Sequence, residues 1–181
     1  MLIHSIINSS SVNGPGNRMV IWSQGCSLNC NDCWNPETHS FTIKNDIPID
    51  NIFTNIENET DIDGITISGG EPFDQPNDLY ELTKLVNAKT NLSQIIYSGY
   101  TLNEIQREDE MKKVLSNIDV LIDGRFVSTK ISNDDFIGSI NQKHHFLTDR
   151  YRINDFQKQN KLEYHFPIDG STSITGFPID I

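Results

Sequence analysis

The chain has 181 residues, of which 36% are hydrophobic, and this suits a single globular domain with its own core. Its formal net charge of −11 comes from 25 acidic and 14 basic side chains, and this excess argues against nucleic acid or an anionic membrane as partner. The sequence contains no apolar run of membrane-spanning length and no pattern typical of a secretory signal. We therefore expect one cytoplasmic domain over residues 1–181.

Four short apolar segments, bounded by Gly, Asp or Ser, predict buried β-strands. These segments are residues 19–23, 64–68, 94–98 and 119–123. Amphipathic periodicity between them predicts helices over residues 49–59, 75–90 and 101–117. Asn77 or Asp78 is a candidate cap for the second helix, and Thr101 with Glu104 matches a capping box for the third.

The alternation of strands and helices indicates βα units, so we expect an α/β fold with a mostly parallel sheet. Four core strands are too few to close an eight-stranded barrel, which leaves an open, partial βα barrel. Ligands of open parallel sheets bind beside the carboxyl ends of the strands. A cysteine-containing loop and the sequences GGEP, GY and DGRF each follow one of the four strands. These loops should therefore meet at one rim of the sheet.

The last part of the chain has a different pattern. Residues 161–180 alternate between apolar and polar positions around Asp169 and Gly170. An Asp-Gly pair between two alternating segments is a hairpin signal. We expect a C-terminal antiparallel hairpin that is added to an edge of the sheet.

All three cysteines of the chain lie in the loop after the first predicted strand, at Cys26, Cys30 and Cys33. The C-x3-C-x2-C spacing can bind three irons of a [4Fe–4S] cluster and leave the fourth iron open to a small molecule. The alternative is a structural zinc site of three cysteines and one histidine, either His39 or His4. Because no cysteine remains, a second cluster within this chain lacks ligands.

The cysteine spacing together with SGGEPF at residues 68–73 resembles the radical S-adenosylmethionine (SAM) enzymes. Further blocks, in the same order, resemble the small activating enzymes of glycyl-radical proteins, and most closely the activases of anaerobic ribonucleotide reductase. These blocks are NGPGNRMVIWSQGC (13–26), CWNPETHSF (33–41), YSGY (97–100), DVLIDGRF (119–126) and GSINQ (138–142). The resemblance covers a core of about residues 13–142, and the segment 161–180 departs from it.

This resemblance implies one [4Fe–4S] cluster on Cys26, Cys30 and Cys33, with SAM bound at its open iron. Reductive cleavage of SAM would give methionine and a 5′-deoxyadenosyl radical, which takes hydrogen from a backbone glycine of a large glycyl-radical enzyme such as anaerobic ribonucleotide reductase. A flavodoxin-like or ferredoxin-like protein would supply the electron. The positions that match the SAM-binding residues of the family are Asp32, Cys33, Trp34, Gly69, Gly70, Glu71, Tyr97 and Ser98.

Several of these side chains also have simpler interpretations. Trp34 can pack over the loop, and Glu71 can be a helix cap or a surface carboxylate in place of an acceptor for the SAM amino group. Arg18 is interpreted either as part of the mouth through which a target peptide enters or as a surface charge. Asp123 and Arg125 are expected to form a pair that fixes a loop.

Two other functions remain open at the level of sequence. One is a small radical SAM enzyme that modifies a small molecule or a ribosomal peptide. The other, from a different class, is a non-catalytic iron–sulfur or zinc module that acts as a sensor or scaffold.

Overall fold

The computed structural model describes residues 1–42, 45–159, 161–166 and 172–178. Its strands are β1 (Leu2–Ser10), β2 (Arg18–Ser23), β3 (Asn45–Asp46), β4 (Gly64–Gly69), β5 (Ser93–Ser98), β6 (Val120–Asp123), β7 (Lys143–Phe146), β8 (Leu162–His165) and β9 (Ser173–Gly176). Its α-helices are α1 (Ile49–Asn58), α2 (Pro76–Lys89), α3 (Leu102–Ile105), α4 (Asp109–Lys112) and α5 (Ile153–Phe156).

The main sheet has seven strands in the order β3-β1-β2-β4-β5-β6-β7. The four central strands β2, β4, β5 and β6 run parallel, while β1, β3 and β7 pair antiparallel at the two sides. The expected α/β fold with a mostly parallel, open sheet is confirmed, and each of the four predicted core strands is present. In the described part of the chain, no helix is long and apolar enough to cross a membrane.

The parallel strands are almost entirely buried and mostly apolar at their centres, because both of their faces are covered. On one face, α1 and α2 pack against residues such as Ile67, Ile96 and Leu121. The opposite face carries a second apolar cluster, to which β5 contributes Ile95 and β6 contributes Val120. Successive side chains of a strand point to opposite faces, so neighbouring residues of one strand serve two different cores.

The first two predicted helices are confirmed, but the cap assigned to the second is wrong. Helix α2 starts at Pro76, with Gln75 at its N-cap position, ahead of both Asn77 and Asp78. Proline suits the first helical position, because its missing N–H would have no partner within the helix and its backbone angle already fits.

The third predicted helix, over residues 101–117, is interrupted. It opens with the expected capping box between Thr101 and Glu104, but α3 then ends at Ile105. Glu108 adopts an extended conformation, with φ −106° and ψ 112°, and separates α3 from α4.

The C-terminal hairpin is confirmed as an antiparallel pair of β8 and β9. Among the described residues it forms a sheet of its own, so the expected addition to an edge of the main sheet is wrong. It attaches instead through side chains, since Glu163 accepts hydrogen bonds from Ser11 and Thr175 accepts one from Asn13. The predicted turn residues Asp169 and Gly170 lie outside the described residues.

Arg18 is fully buried at the start of β2, so both interpretations from sequence are wrong. Its guanidinium donates to six acceptors near the amino ends of the parallel strands, opposite the rim where the motif loops lie. These acceptors are Thr66 Oγ1, Ser93 Oγ, Tyr151 Oη and the carbonyl oxygens of Pro15, Ile65 and Ser93. The planar fork of donors lets one side chain join the starts of β2, β4 and β5.

Candidate iron–sulfur site

A cavity of about 880 Å³, including its open mouth, lies at the carboxyl ends of the parallel strands. Among the residues of its wall are all three cysteines and most of the other positions predicted from sequence. These residues are Cys26, Cys30, Cys33, Trp34, Gly69, Gly70, Glu71, Tyr97 and Ser98. The loops after β2, β4 and β5 therefore meet where the sequence predicts.

The cysteine loop is closed at its base by backbone hydrogen bonds. Gly25 N–H donates to the carbonyl of Thr38 at 2.8 Å, and Cys26 N–H donates to that of His39 at 3.1 Å. Within the loop, Asn29 and Asp32 have positive φ values of 43° and 56°. Asn and Asp tolerate this left-handed conformation better than most residues, and the two reversals fold the chain between the ligands.

The three cysteines border the cavity without converging on one point. Within the described ranges, no three His, Cys, Asp or Glu side chains are close enough to hold a single metal ion. A zinc ion needs four ligands around one centre, whereas the thiolates of a [4Fe–4S] cluster each bind a different iron. Three thiols around an open cavity fit a cluster that keeps one iron free, whereas zinc would need a fourth ligand such as His39, which also lines the cavity.

Burial raises the pKa of the Cys26 thiol and of the Cys33 thiol. Without metal these thiols are held protonated, and metal binding has to displace the protons. Loading of the site should therefore release protons and depend on pH.

The two glycines of the GGEP loop lie so close to the backbone around the end of β2 that a side chain would not fit at either position. Gly69 has φ 109°, and a Cβ there would strike the backbone N of Ser23. A Cβ at Gly70 would strike the carbonyl oxygen of Gly25, the residue just before the first cysteine. Contact of these glycines with SAM stays a prediction, but their packing against the cysteine loop is already sufficient reason for glycine.

Glu71 is buried, and its own chain satisfies its carboxylate. Its Oε1 accepts hydrogen bonds from Phe73 N at 3.0 Å and from Ser98 Oγ at 2.9 Å, while Oε2 accepts one from Gly99 N at 2.7 Å. The cap interpretation is therefore confirmed and the surface interpretation is wrong. Burial raises the pKa of Glu71 to about 7, and these three hydrogen bonds oppose the shift. A contact with the SAM amino group stays a prediction.

Aromatic rings form one wall of the cavity. The ring centroid of Trp34 lies 4.7 Å from that of Phe126 and 6.3 Å from that of Phe177. Tyr97 lies 6.1 Å from Phe177 and donates its hydroxyl to the carbonyl of Phe136 at 2.9 Å. Trp34 thus packs against other rings, as its simpler interpretation expects, and also faces the cavity.

Sequence reasoning missed Phe126 and Phe177 as parts of this wall. Phe177 follows β9 and is only 8% exposed. Phe177 points inward because the hairpin docks on residues 11–13. In the sequence, the alternating pattern of residues 161–180 is the one feature that indicates a buried side for this segment. Gly138 and Gln142, both from the GSINQ block between β6 and β7, also line the cavity.

Two charged residues lie apart from their expected partners. Asp32 is exposed, accepts a hydrogen bond from Ser128 Oγ at 2.9 Å and lies outside the residues that line the cavity, and its contact with SAM stays a prediction. The expected Asp123–Arg125 pair is wrong, because Arg125 binds Glu104 at 3.2 Å while Asp123 lies 3.0 Å from His145.

Comparison with known proteins agrees with this geometry. The family described as "4Fe-4S single cluster domain" matches residues 12–145. The anaerobic ribonucleoside-triphosphate reductase-activating protein of Vibrio cholerae is 32% identical over 161 residues, which are 82% of this chain and 99% of that protein. The protein of the same name from Escherichia coli K12 is 31% identical over 159 residues, which are 81% of this chain and 99% of that protein.

A more distant relative shares part of the chain. The pyruvate formate-lyase-activating enzyme of Clostridium pasteurianum is 32% identical over 103 residues, which are 54% of this chain and 43% of that enzyme. The structure places three cysteines and the GGEP loop around one cavity. The alignments with the two reductase-activating proteins also cover 99% of each of those proteins. The chain belongs to the radical SAM family of single-cluster 4Fe–4S domains that includes these activating proteins.

Proposed function

We propose that this protein activates an anaerobic ribonucleotide reductase by creating a glycyl radical on it, with SAM as the source of the radical. The observation that carries the proposal is the meeting of Cys26, Cys30 and Cys33 with the GGEP loop around one open cavity. Relatives with the corresponding name align over nearly their whole length, which supports the choice of partner.

The cluster would be held by Cys26, Cys30 and Cys33. When bound, such a cluster would offer an open iron to SAM and would supply the electron for the reductive cleavage of SAM to methionine and a 5′-deoxyadenosyl radical. The cavity that the three cysteines border is open to solvent, and SAM would bind there beside the cluster.

The protein's own contribution is to hold SAM and to exclude water. Gly70 and Glu71 lie against Gly25, one residue before the first ligand, so the methionine part of SAM would lie between this loop and the cluster. Trp34 and Tyr97 would enclose the apolar parts of the cosubstrate from the side of the aromatic wall. Exclusion of water protects a carbon radical from side reactions.

The partner would present a backbone glycine at the mouth of the cavity. No side chain of this protein needs to act as an acid or base in that step, because a hydrogen atom moves directly from glycine to the radical. The electron donor would be a separate flavodoxin-like or ferredoxin-like protein, since the three cysteines are all used by one cluster.

The test is an anaerobic assay with reconstituted protein, a reductant, SAM and the anaerobic ribonucleotide reductase of the same organism. Electron paramagnetic resonance should detect a glycyl radical on the reductase, which the Cys26→Ala, Cys30→Ala and Cys33→Ala variants fail to form. Stoichiometric tetrahedral zinc without iron after anaerobic expression would instead identify a zinc module. SAM cleavage that never yields a radical on the reductase would favour a different substrate.

A further inference from the structure

Asp74 directly contacts the residue that follows the first cysteine. It ends the short 3-10 helix Pro72–Asp74, which continues from the GGEP loop. Its Oδ2 accepts a hydrogen bond from Ser27 N at 2.6 Å, and its Oδ1 accepts one from Ser27 Oγ at 2.9 Å. A single carboxylate thus holds both the backbone and the side chain of Ser27.

Tyr100 completes this contact from a third loop. Its hydroxyl donates to Asp74 Oδ1 at 3.0 Å and lies 3.0 Å from Ser27 Oγ. The backbone N–H of Tyr100 donates to Ser98 Oγ at 3.0 Å, and the Arg125 guanidinium lies 5.8 Å from the centre of its ring. Asp74 therefore joins the loops after β2, β4 and β5 at a point separate from the carboxylate of Glu71.

The contact affects both the path and the charge of the cluster loop. Fixing the N–H of Ser27 fixes the direction in which the chain leaves Cys26. The same carboxylate binds the residue that follows Cys26 and so brings a negative charge next to the cluster loop. Groups that orient a metal ligand change metal affinity, and charge beside an iron–sulfur cluster changes its reduction potential.

We propose that Asp74, with Tyr100, is a positioning residue for Cys26 that retains the cluster and makes its reduction potential more negative. The proposal depends on the cluster and is independent of the partner protein. Its test therefore needs neither SAM cleavage nor a reductase, and its failure is distinguishable from failure of the proposed function.

The experiment compares Asp74→Asn, Tyr100→Phe and a control, Asp78→Asn, after anaerobic reconstitution. Asp78 lies in the first turn of α2 and pairs with the N-terminal amine at 3.3 Å, so its replacement removes the same charge without changing the contacts of Ser27 or Tyr100. We expect Asp74→Asn to release iron to a chelator about 10-fold faster than the wild-type protein. Its midpoint potential should shift to a more positive value, because a negative charge near the cluster is lost.

Tyr100→Phe loses the contacts of its hydroxyl with Asp74 and Ser27 but no charge, so it should release iron faster while its potential changes little. Asp78→Asn should match the wild-type protein in both measurements. The proposal would be overturned if Asp74→Asn released iron at the wild-type rate and kept the wild-type midpoint potential. It would also be overturned if Asp78→Asn shifted the midpoint potential as much as Asp74→Asn does. If Asp74→Asn fails to fold, Tyr100→Phe decides, and a wild-type rate of iron release in that variant overturns the proposal.

Discussion

The N–H of Gly99 donates a 2.7 Å hydrogen bond to Oε2 of Glu71 and thereby joins the loop after β5 to the loop after β4. The carboxylate that accepts it is fully enclosed, and its pKa is raised from 4.5 to about 7. Because Glu71 changes its protonation state near neutral pH, the stability of the fold around the site should depend on pH in this range.

The first prediction concerns this pH dependence in the cluster-free protein. An unfolded chain ionises Glu71 near pH 4.5, whereas the folded protein does so only near pH 7. Raising the pH across this window favours the unfolded state, so Glu71 should lower the free energy of unfolding by up to about 3 kcal/mol. Urea unfolding between pH 5 and 8 should show a smaller decline in Glu71→Gln than in the wild-type protein. Glu81→Gln, on the exposed side of α2, serves as control, and equal slopes in all three proteins would contradict the prediction.

The second prediction concerns the close packing of Gly70. A methyl group there meets the carbonyl of Gly25, so Gly70→Ala should displace the start of the cluster loop and cost about 1–3 kcal/mol of folding stability. Reconstitution should also give less bound iron. In Gly99→Ala the added methyl strikes only the end of the flexible Leu28 side chain and lies at ordinary contact distance from Glu71 Oε2 and Arg125, so no backbone has to move and this variant should keep its iron. Equal iron contents in the two variants would show that the approach of Gly70 to Gly25 is unimportant.

The third prediction uses two phenylalanines of the C-terminal segment. Phe177 is 8% exposed and contacts the aromatic wall of the cavity, whereas Phe166 is 74% exposed. Phe177→Ala should lower the free energy of unfolding by about 3–5 kcal/mol, because it leaves a hole beside Trp34 and Tyr97. Phe166→Ala should change it by no more than about 0.5 kcal/mol. If chemical denaturation finds similar values for both, the hairpin does not dock on the cavity in solution.

The fourth prediction concerns Arg18. Lysine cannot reproduce the planar fork of donors, so Arg18→Lys leaves several buried acceptors without partners. We expect a loss of at least about 3 kcal/mol in the free energy of unfolding. Arg107→Lys, at an exposed position, should stay close to the wild-type value. A small effect at Arg18 would mean that the planar guanidinium is not needed to join the strand starts.

The central strands were predictable because parallel strands that are buried on both faces form continuous apolar runs, as in residues 19–22. The cysteine loop and the GGEP loop were predictable as neighbours because the carboxyl ends of parallel strands share a rim. Strand β1, in contrast, was missed: it mixes polar and apolar residues, and many of them are half-buried or exposed, so it lacks either a continuous run or a clean alternation.

The remaining errors concern contacts between residues far apart in the chain. Burial of Arg18 depends on acceptors from β4, β5 and Tyr151, and nothing in its local sequence indicates them. The inward position of Phe177 depends in the same way on the docking of Glu163 and Thr175 onto residues 11–13. Sequence patterns show which residues are apolar, but the partner of a buried polar group is fixed only by the tertiary fold.

The central claim is that this protein removes hydrogen from a backbone glycine of its partner, and isotope transfer tests it most directly. The anaerobic ribonucleotide reductase would be produced with glycine deuterated at the α-carbon and incubated without oxygen with the reconstituted protein, a reductant and SAM. Mass spectrometry of the 5′-deoxyadenosine should find one deuterium transferred from the reductase. Abundant 5′-deoxyadenosine that carries no deuterium would contradict the account.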